Sequence, residues 1–182
     1  MTLPSPVSPL KRTLDVWTTT SPDWLIKYVS ANTLGGIEHC ANEITAAILG
    51  AGVFAPKYLS LRYVSCHPMG FVGTWLAIWI ERFPFTLADW SRRLSVDNTR
   101  CLVDVITKMH SLGIYHCDLH AGNIVLRRLP EGPLEIKVID FGQSRFCSTE
   151  TDRIYYRQSD FDALLCNSMR KHIIFGEVPQ IK

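Results

Sequence analysis

The 182-residue sequence lacks the features that mark several special classes of protein. It has no basic run longer than two residues and a net charge of only +2, so we expect no nucleic-acid partner. Its longest uncharged apolar stretch, 71–80, is too short to span a bilayer, and we expect no membrane partner. The first twelve residues contain no apolar core of the signal-peptide type, which indicates an intracellular protein of the cytoplasm or nucleus.

The six cysteines include no CxxC pair, and this pattern favours reduced, mostly buried thiols over a disulfide framework. His116, Cys117 and His120 lie close together, but no second pair of ligands follows at zinc-finger spacing, so we predict no structural zinc. With 47% hydrophobic and 20% charged residues, the composition is that of a globular chain. A chain of this length can bury its own core as one domain or as two small lobes.

The first half of the sequence predicts an extended arm followed by a small lobe. Prolines at positions 4, 6 and 9 make residues 1–12 the arm. Gly35 and Gly36 are expected to break the chain before a helix at about 37–49, whose buried stripe would be Ile37, Cys40, Ala41, Ile44, Ala47 and Ile48. Aromatic and β-branched residues are dense in three expected strands, at 23–29, 58–64 and 71–80.

The second half predicts a more helical lobe after a connector at 81–85, where Pro84 ends the strand pattern. Two short strands are expected at 124–127 and 134–139, joined by a Pro-Glu-Gly-Pro turn. Helices are expected near 86–93, at about 97–112 and at about 160–171. The buried face of the longest helix would consist of Leu102, Ile106, Met109 and Leu112.

Two loops contain the residues that could carry chemistry. One, His-Cys-Asp-Leu-His-Ala-Gly-Asn at 116–123, leads into a strand, and the other, Val-Ile-Asp-Phe-Gly at 138–142, leaves one. Asp118 could accept the proton of an attacking hydroxyl, while the Asn123 amide and the Asp140 carboxylate are hard oxygen ligands for Mg²⁺ on nucleotide phosphates. Each residue alone is more simply a turn former. In this order and together, they indicate phosphoryl transfer.

The pattern H-x-D-L-x-x-x-N followed by I-D-F-G resembles the catalytic and metal-binding loops of the protein-kinase-like superfamily. By this resemblance Asp118 is the catalytic aspartate, Asn123 and Asp140 bind Mg²⁺, and His116 anchors the loop. The resemblance also implies an α+β, bilobal fold. Its parts would be a small antiparallel-sheet N-lobe at about 13–80, a hinge at 81–85 and a truncated, mainly helical C-lobe at 86–182.

A kinase-like fold further implies a strand lysine paired with a glutamate of the first helix. Lys27 lies within the strand-like segment Trp-Leu-Ile-Lys-Tyr, and Glu43 follows sixteen residues later at the border of the helix stripe. The alternative is a lysine that extends to solvent and an exposed glutamate. The resemblance places ATP in the cleft between the lobes, with Lys27 on its phosphates and with Glu81 and Phe83 near the adenine.

The sequence also departs from the kinase pattern. No glycine precedes Gly35, so the glycine-rich phosphate loop is absent and nucleotide binding is expected to be weak and metal-dependent. There is no A-P-E motif, and only seventeen residues separate Gly142 from Asp160. Asp160 is expected either to anchor the backbone of the catalytic loop or to cap the tail helix.

Three functions remain open. The first is a small Ser/Thr protein kinase that transfers the γ-phosphoryl group of ATP to a protein substrate. The second is a small-molecule phosphotransferase that resembles aminoglycoside and choline kinases, because His120 stands where Ser/Thr kinases usually carry a lysine. The third is a non-catalytic kinase-like module that binds a partner. We expect the protein kinase, with ATP and Mg²⁺ as cofactors.

Overall fold

The computed structural model describes residues 16–18, 21–66 and 70–174, which belong to two compact units that divide between Arg82 and Phe83. The predicted α+β class is confirmed, because helices combine with antiparallel sheets. Among the helices in the described ranges, none has both the length and the apolar character needed to cross a membrane. The extended arm predicted at 1–12 lies outside the described residues.

The first unit is a four-stranded antiparallel sheet in the order β1-β2-β4-β3, with one helix against it. Strands β2 and β4 pair from Trp24, opposite Glu81, to Ser30, opposite Trp75. The core joins sheet and helix through Val29, Cys40, Leu76 and Ile78. The elements are β1 Val16–Thr18, β2 Trp24–Ser30, α1 Leu34–Gly50, β3 Tyr58–Cys66 and β4 Val72–Glu81. The three predicted strands are present with shifted ends, and β1 was not predicted.

The predicted break at Gly35 and Gly36 is wrong, because both glycines lie in the first turn of α1. The helix begins earlier because Thr33 caps it, its hydroxyl accepting a hydrogen bond from the Gly36 amide at 3.0 Å.

The predicted buried stripe of α1 is also partly wrong. Cys40 is buried, but Ile37 and Ile48 are more than half exposed, and Ala41 is exposed. The buried positions are instead Cys40, Asn42, Glu43, Ala46 and Gly50. The helix face against the sheet therefore includes polar side chains, and Glu43 is one of them because it has a charged partner on β2. A prediction of the buried face of α1 from its apolar residues alone therefore leaves these polar positions out.

The second unit contains a three-stranded antiparallel sheet, β5-β7-β8, and a two-stranded pair, β6-β9. Its elements are β5 Phe85–Thr86, α2 Val96–Ser111, β6 Ile114–Tyr115, β7 Ile124–Arg127, β8 Glu135–Val138, β9 Arg145–Phe146, α3 Glu150–Leu165 and α4 Asn167–Arg170. Leu102, Ile106 and Met109 are fully buried on α2, as predicted. Leu112 is exposed, because α2 ends at Ser111 and Leu112 lies in the turn that follows.

Two predicted helices are wrong. Instead of a helix near 86–93, the chain forms β5 and a turn, because the Leu87 amide donates to the Ile124 carbonyl at 2.7 Å and continues the pairing with β7. The tail helix does not begin at Asp160. The helix α3 begins ten residues earlier, at Glu150, where Thr149 caps it, its hydroxyl accepting from the Asp152 amide at 3.3 Å. Asp160 therefore lies in the interior of a helix.

The first turn of α1 predicts opposite results for two neighbouring glycines. A Cβ at Gly36 would overlap the carbonyl oxygen of Ser30, whereas a Cβ at Gly35 would meet open space. We expect Gly36→Ala to lower the free energy of unfolding by about 1–3 kcal/mol, the usual cost of overpacking. Gly35→Ala should be neutral or stabilise by up to about 1 kcal/mol, because alanine favours helix. Urea unfolding measures both, and equal effects would contradict this helix start.

Candidate active site

The loop between β6 and β7, residues 116–123, holds the predicted catalytic aspartate. Cys117 has a φ of 62°, a left-handed conformation that is costly for a residue with a Cβ. The Asp118 side chain after this bend is exposed, whereas Leu119 is buried. A short 3₁₀ turn at Ala121–Asn123 closes the loop, and His120 caps it by accepting from the Gly122 amide at 3.0 Å. The bend therefore presents Asp118 to solvent while the flanking residues are held.

The Asp160 carboxylate, 1% exposed, holds the start of this loop from α3. It accepts hydrogen bonds from the amides of His116 at 2.8 Å and Cys117 at 2.9 Å. A third bond joins it to His110 Nε2 on α2, at 2.9 Å. The predicted anchor is confirmed. The capping alternative is wrong, because Asp160 is not at a helix terminus. His110 was not predicted, since nothing in the sequence distinguishes it from an ordinary buried histidine near the end of a helix.

His116 connects the two predicted loops. Its ring is fully buried, Nε2 lies 2.9 Å from the Ile139 carbonyl oxygen, and Nδ1 accepts from the Asp118 amide at 3.2 Å. Burial lowers the pKa of His116 below its usual range. A neutral imidazole makes both bonds when its proton is on Nε2. The predicted loop-anchoring role of His116 is therefore confirmed, and the ring holds the Asp118 backbone rather than exchanging protons with substrate.

Asn123 and Asp140 are brought together by the pairing of β7 with β8. Ile124 lies opposite Val138, and the Ile139 amide donates to the Asn123 carbonyl at 2.9 Å, directly before Asp140. The buried Asn123 side chain donates from Nδ2 to the Asp118 carbonyl at 3.0 Å, so its Oδ1 is the atom able to bind a cation. Asp140 has a φ of 68° and its carboxylate makes no capping bond to the following turn, Phe141–Gln143.

An amide oxygen and one carboxylate fit a Mg²⁺ ion whose remaining ligands are phosphate oxygens and water. Within the described ranges, no three or more His, Cys, Asp and Glu side chains cluster as a metal site of their own. The binding of Mg²⁺ by Asn123 and Asp140 remains a prediction.

The Cys117 thiol beside Asp118 is not suited to act as a nucleophile or as a base. Burial raises the pKa of the Cys117 thiol to about 11, and the Asp160 carboxylate acts in the same direction. A thiol with this pKa stays protonated at neutral pH and is weakly reactive. Of the two side chains, Asp118 is the one suited to accept a proton.

The first unit brings the predicted Lys27 and Glu43 together. Lys27 lies on β2 opposite Ile78, and its Nζ forms an ion pair with Glu43 Oε1. Both side chains are less than a tenth exposed, so the alternative of a solvent-extended lysine and an exposed glutamate is wrong. The buried pair holds the lysine ammonium in one orientation, because separating either charge would leave the other uncompensated.

Glu81 and Phe83 have other partners in the structure. Glu81 ends β4, and its amide donates to the Lys57 carbonyl at 2.8 Å while its carboxylate accepts from the Lys57 amide at 3.4 Å. Phe83 is buried, with the Arg127 guanidinium 4.6 Å from the centre of its ring. Their predicted place near the adenine remains a prediction.

Comparison with known proteins gives two matches. A model of the lipopolysaccharide kinase (Kdo/WaaP) family matches residues 76–178, which is more than half of the chain and includes both loops. Calcium-dependent protein kinase 5 of Oryza sativa subsp. japonica is 41% identical over 58 residues, or 32% of this chain. Those residues cover 10% of the length of the rice protein.

The bonds to Asp160 predict a large effect of its removal. Asp160→Ala leaves two loop amides and His110 without their acceptor, so we expect unfolding to become easier by about 3–5 kcal/mol, the cost of breaking a buried charged network. Asp162→Ala is the matched control on the same helix. Its exposed carboxylate accepts from Gln158, and its loss should change stability by no more than about 0.5 kcal/mol. Urea unfolding curves of similar midpoint for both variants would disprove the anchor.

Proposed function

The chain belongs to the lipopolysaccharide kinase (Kdo/WaaP) family, and from that premise we propose that it transfers the γ-phosphoryl group of ATP to a saccharide hydroxyl. Membership makes the chain a kinase-type enzyme and confirms the predicted place in the protein-kinase-like superfamily. ATP and Mg²⁺ are the cofactors that such a kinase implies. The substrate and the role of each residue are our proposal.

The observation that supports the proposal best is the anchored loop, which exposes Asp118 while Asp160 and His116 hold its backbone. We assign Asp118 to accept the proton of the attacking hydroxyl, a step that side-chain bases promote by about 10²–10⁴-fold. Asn123 and Asp140 would hold Mg²⁺, which supplies charge compensation on the phosphates. Lys27, held by Glu43, would bind a phosphate of ATP.

The acceptor is proposed from the family and from the short segment after Gly142. Seven residues, 143–149, separate Gly142 from α3, and two of these form β9, which pairs with β6. This short, paired segment leaves little chain to form a surface for an extended peptide. Both observations favour a small acceptor over the protein substrate that the sequence predicted.

A protein hydroxyl is the second candidate, as predicted from the sequence. The identity to calcium-dependent protein kinase 5 favours it, although the match covers a small share of that protein. Labelled ATP with Mg²⁺, offered with a lipopolysaccharide core oligosaccharide or with casein, separates the two acceptors. We expect label on the oligosaccharide. Label on casein alone would favour the protein kinase, and label on neither, together with ATP binding, would favour the non-catalytic module.

Asp118→Asn should separate catalysis from folding. The amide has the same size but cannot accept the proton, so we expect transfer to fall about 10²–10⁴-fold. The side chain is exposed on a loop, and the thermal unfolding midpoint should stay close to that of the wild type. Transfer by the folded variant at the wild-type rate would rule out Asp118 as the base.

The metal assignment predicts that ATP stabilises the protein in a magnesium-dependent way. A ligand at a hundred times its Kd stabilises by about 2.7 kcal/mol, and weaker occupancy gives less. We expect millimolar ATP with Mg²⁺ to raise the melting temperature modestly, and ATP with a chelator to raise it much less. Asp140→Ala should abolish this difference, whereas Asp162→Ala should preserve it. An equal shift with and without metal would contradict the Asn123/Asp140 site.

A further inference from the structure

A cavity lies in the second unit, and none of its lining residues belongs to the loops at 116–123 and 138–142. It has a volume of about 300 Å³, within the lower range of small-ligand sites. Three arginines, Arg92, Arg93 and Arg128, line it, and its described lining contains no aspartate or glutamate. We name this cavity the basic pocket.

The arginines of the basic pocket differ from their neighbours in lacking an acidic partner. Arg127 pairs with Glu135 at 2.6 Å and Arg100 pairs with Asp97 at 3.2 Å. Throughout the described part of the chain, by contrast, no carboxylate lies within ion-pair distance of Arg92, Arg93 or Arg128. Three like charges around one cavity repel one another, and an anion bound there would relieve that repulsion.

Two of these side chains are held in place without being neutralised. The Arg128 guanidinium lies 5.2 Å from the centre of the Trp90 ring, and Trp90 in turn packs edge-on against Phe85. Arg93 donates from Nε to the Lys171 carbonyl at 3.2 Å. Guanidinium groups restrained in this way lose less conformational entropy on binding an anion than free side chains do.

The uncharged wall of the pocket includes Ser95 and Asn98, from the start of the sixteen-residue helix α2. The Ser95 hydroxyl caps this helix by accepting from the Asn98 backbone amide at 3.2 Å, and Asp97 lies in the same first turn, so the helix end itself is already compensated. The Asn98 side-chain Oδ1 accepts from the Leu134 amide at 2.9 Å, so the side-chain Nδ2–H groups are the part able to bind a ligand. The arginines and the Asn98 side-chain amide favour an anion.

The pocket and the catalytic loop lie at opposite ends of β7. Asn123 directly precedes this strand and Arg128 directly follows it. Five residues at about 3.3 Å each separate the two positions by up to roughly 16 Å. An anion in the basic pocket would therefore be distinct from the ATP phosphates proposed to lie at Asn123 and Asp140.

We propose that the basic pocket is a second ligand site, which binds a phosphate or carboxylate group carried by the saccharide acceptor. That the ligand is an anion follows from the residues of the pocket. That this anion is carried by the saccharide acceptor rests on the proposed function. The acceptor must then be extended, with its anionic group in the pocket and its reacting hydroxyl at Asp118.

Calorimetric titration of the full chain without Mg²⁺ tests this site independently of catalysis. The probes are glucose 6-phosphate, galacturonate, pyrophosphate and a short acidic peptide, with glucose as the uncharged control. We expect glucose 6-phosphate and galacturonate to bind, glucose not to bind, and added salt to weaken binding. Binding of pyrophosphate but of neither anionic sugar would disprove the proposal that the ligand is a saccharide. Tighter binding of the acidic peptide than of the anionic sugars would disprove the proposal that the ligand is a small molecule.

The variants locate the binding. Arg92→Gln, which removes the charge of an exposed side chain, and Arg128→Gln should each weaken binding by about tenfold or more, as expected for a charge-assisted hydrogen bond. Arg157→Gln removes an exposed arginine of α3 outside the pocket and should have no effect. Unchanged affinity in folded Arg92→Gln and Arg128→Gln would overturn the site. Asp118→Asn should bind normally, and wild-type binding without any transfer would refute the proposed function while leaving the pocket intact.

Discussion

The second unit depends on the hydrogen bonds that the Asp160 carboxylate accepts. This carboxylate is buried, and a buried carboxylate is tolerated when hydrogen-bond donors compensate its charge. Those donors are two successive amides of the 116–123 loop and a histidine of α2. One side chain of α3 thus fixes both the end of another helix and the costly left-handed bend at Cys117.

The geometry of the candidate site follows from that anchor. With its start held, the loop turns so that His116 bonds the Asp118 amide and the Ile139 carbonyl. Asn123 then bonds the Asp118 carbonyl through its side chain and the Ile139 amide through its backbone. Each loop therefore restrains the other. Such restraint would hold the side chains of the proposed site in position before a substrate binds.

Features could be predicted from the sequence where they have a local cause or where they belong to a motif of fixed spacing. The strands around Lys27 and the apolar face at Leu102, Ile106 and Met109 follow from side-chain patterning. Asp118, Asn123 and Asp140 were predicted as site residues because order and spacing limit the chemistry they can share, and their roles stay a prediction. Two helix starts were predicted too late in the chain, after Gly36 and at Asp160. The helices begin earlier, because Thr33 and Thr149 cap them upstream of those residues.

Other features could not be read from the sequence, because they depend on tertiary contacts. The polar face of α1 exists because Glu43 meets Lys27 across the unit. The basic pocket joins Arg92 and Arg93 with Arg128, which lies on a different segment. In the sequence these are two short basic pairs, and such pairs are usually solvated surface. Only the fold shows which arginines lie beside a carboxylate and which surround a cavity.

The most direct measurement follows the γ-phosphoryl group itself. The protein is mixed with Mg²⁺, an anionic oligosaccharide acceptor and ATP labelled at either the α or the γ phosphate, and ADP and labelled acceptor are counted together. We expect one phosphorylated acceptor for each ADP, carrying γ label and no α label. ADP formed at the same rate with or without the acceptor, and no labelled acceptor, would contradict it.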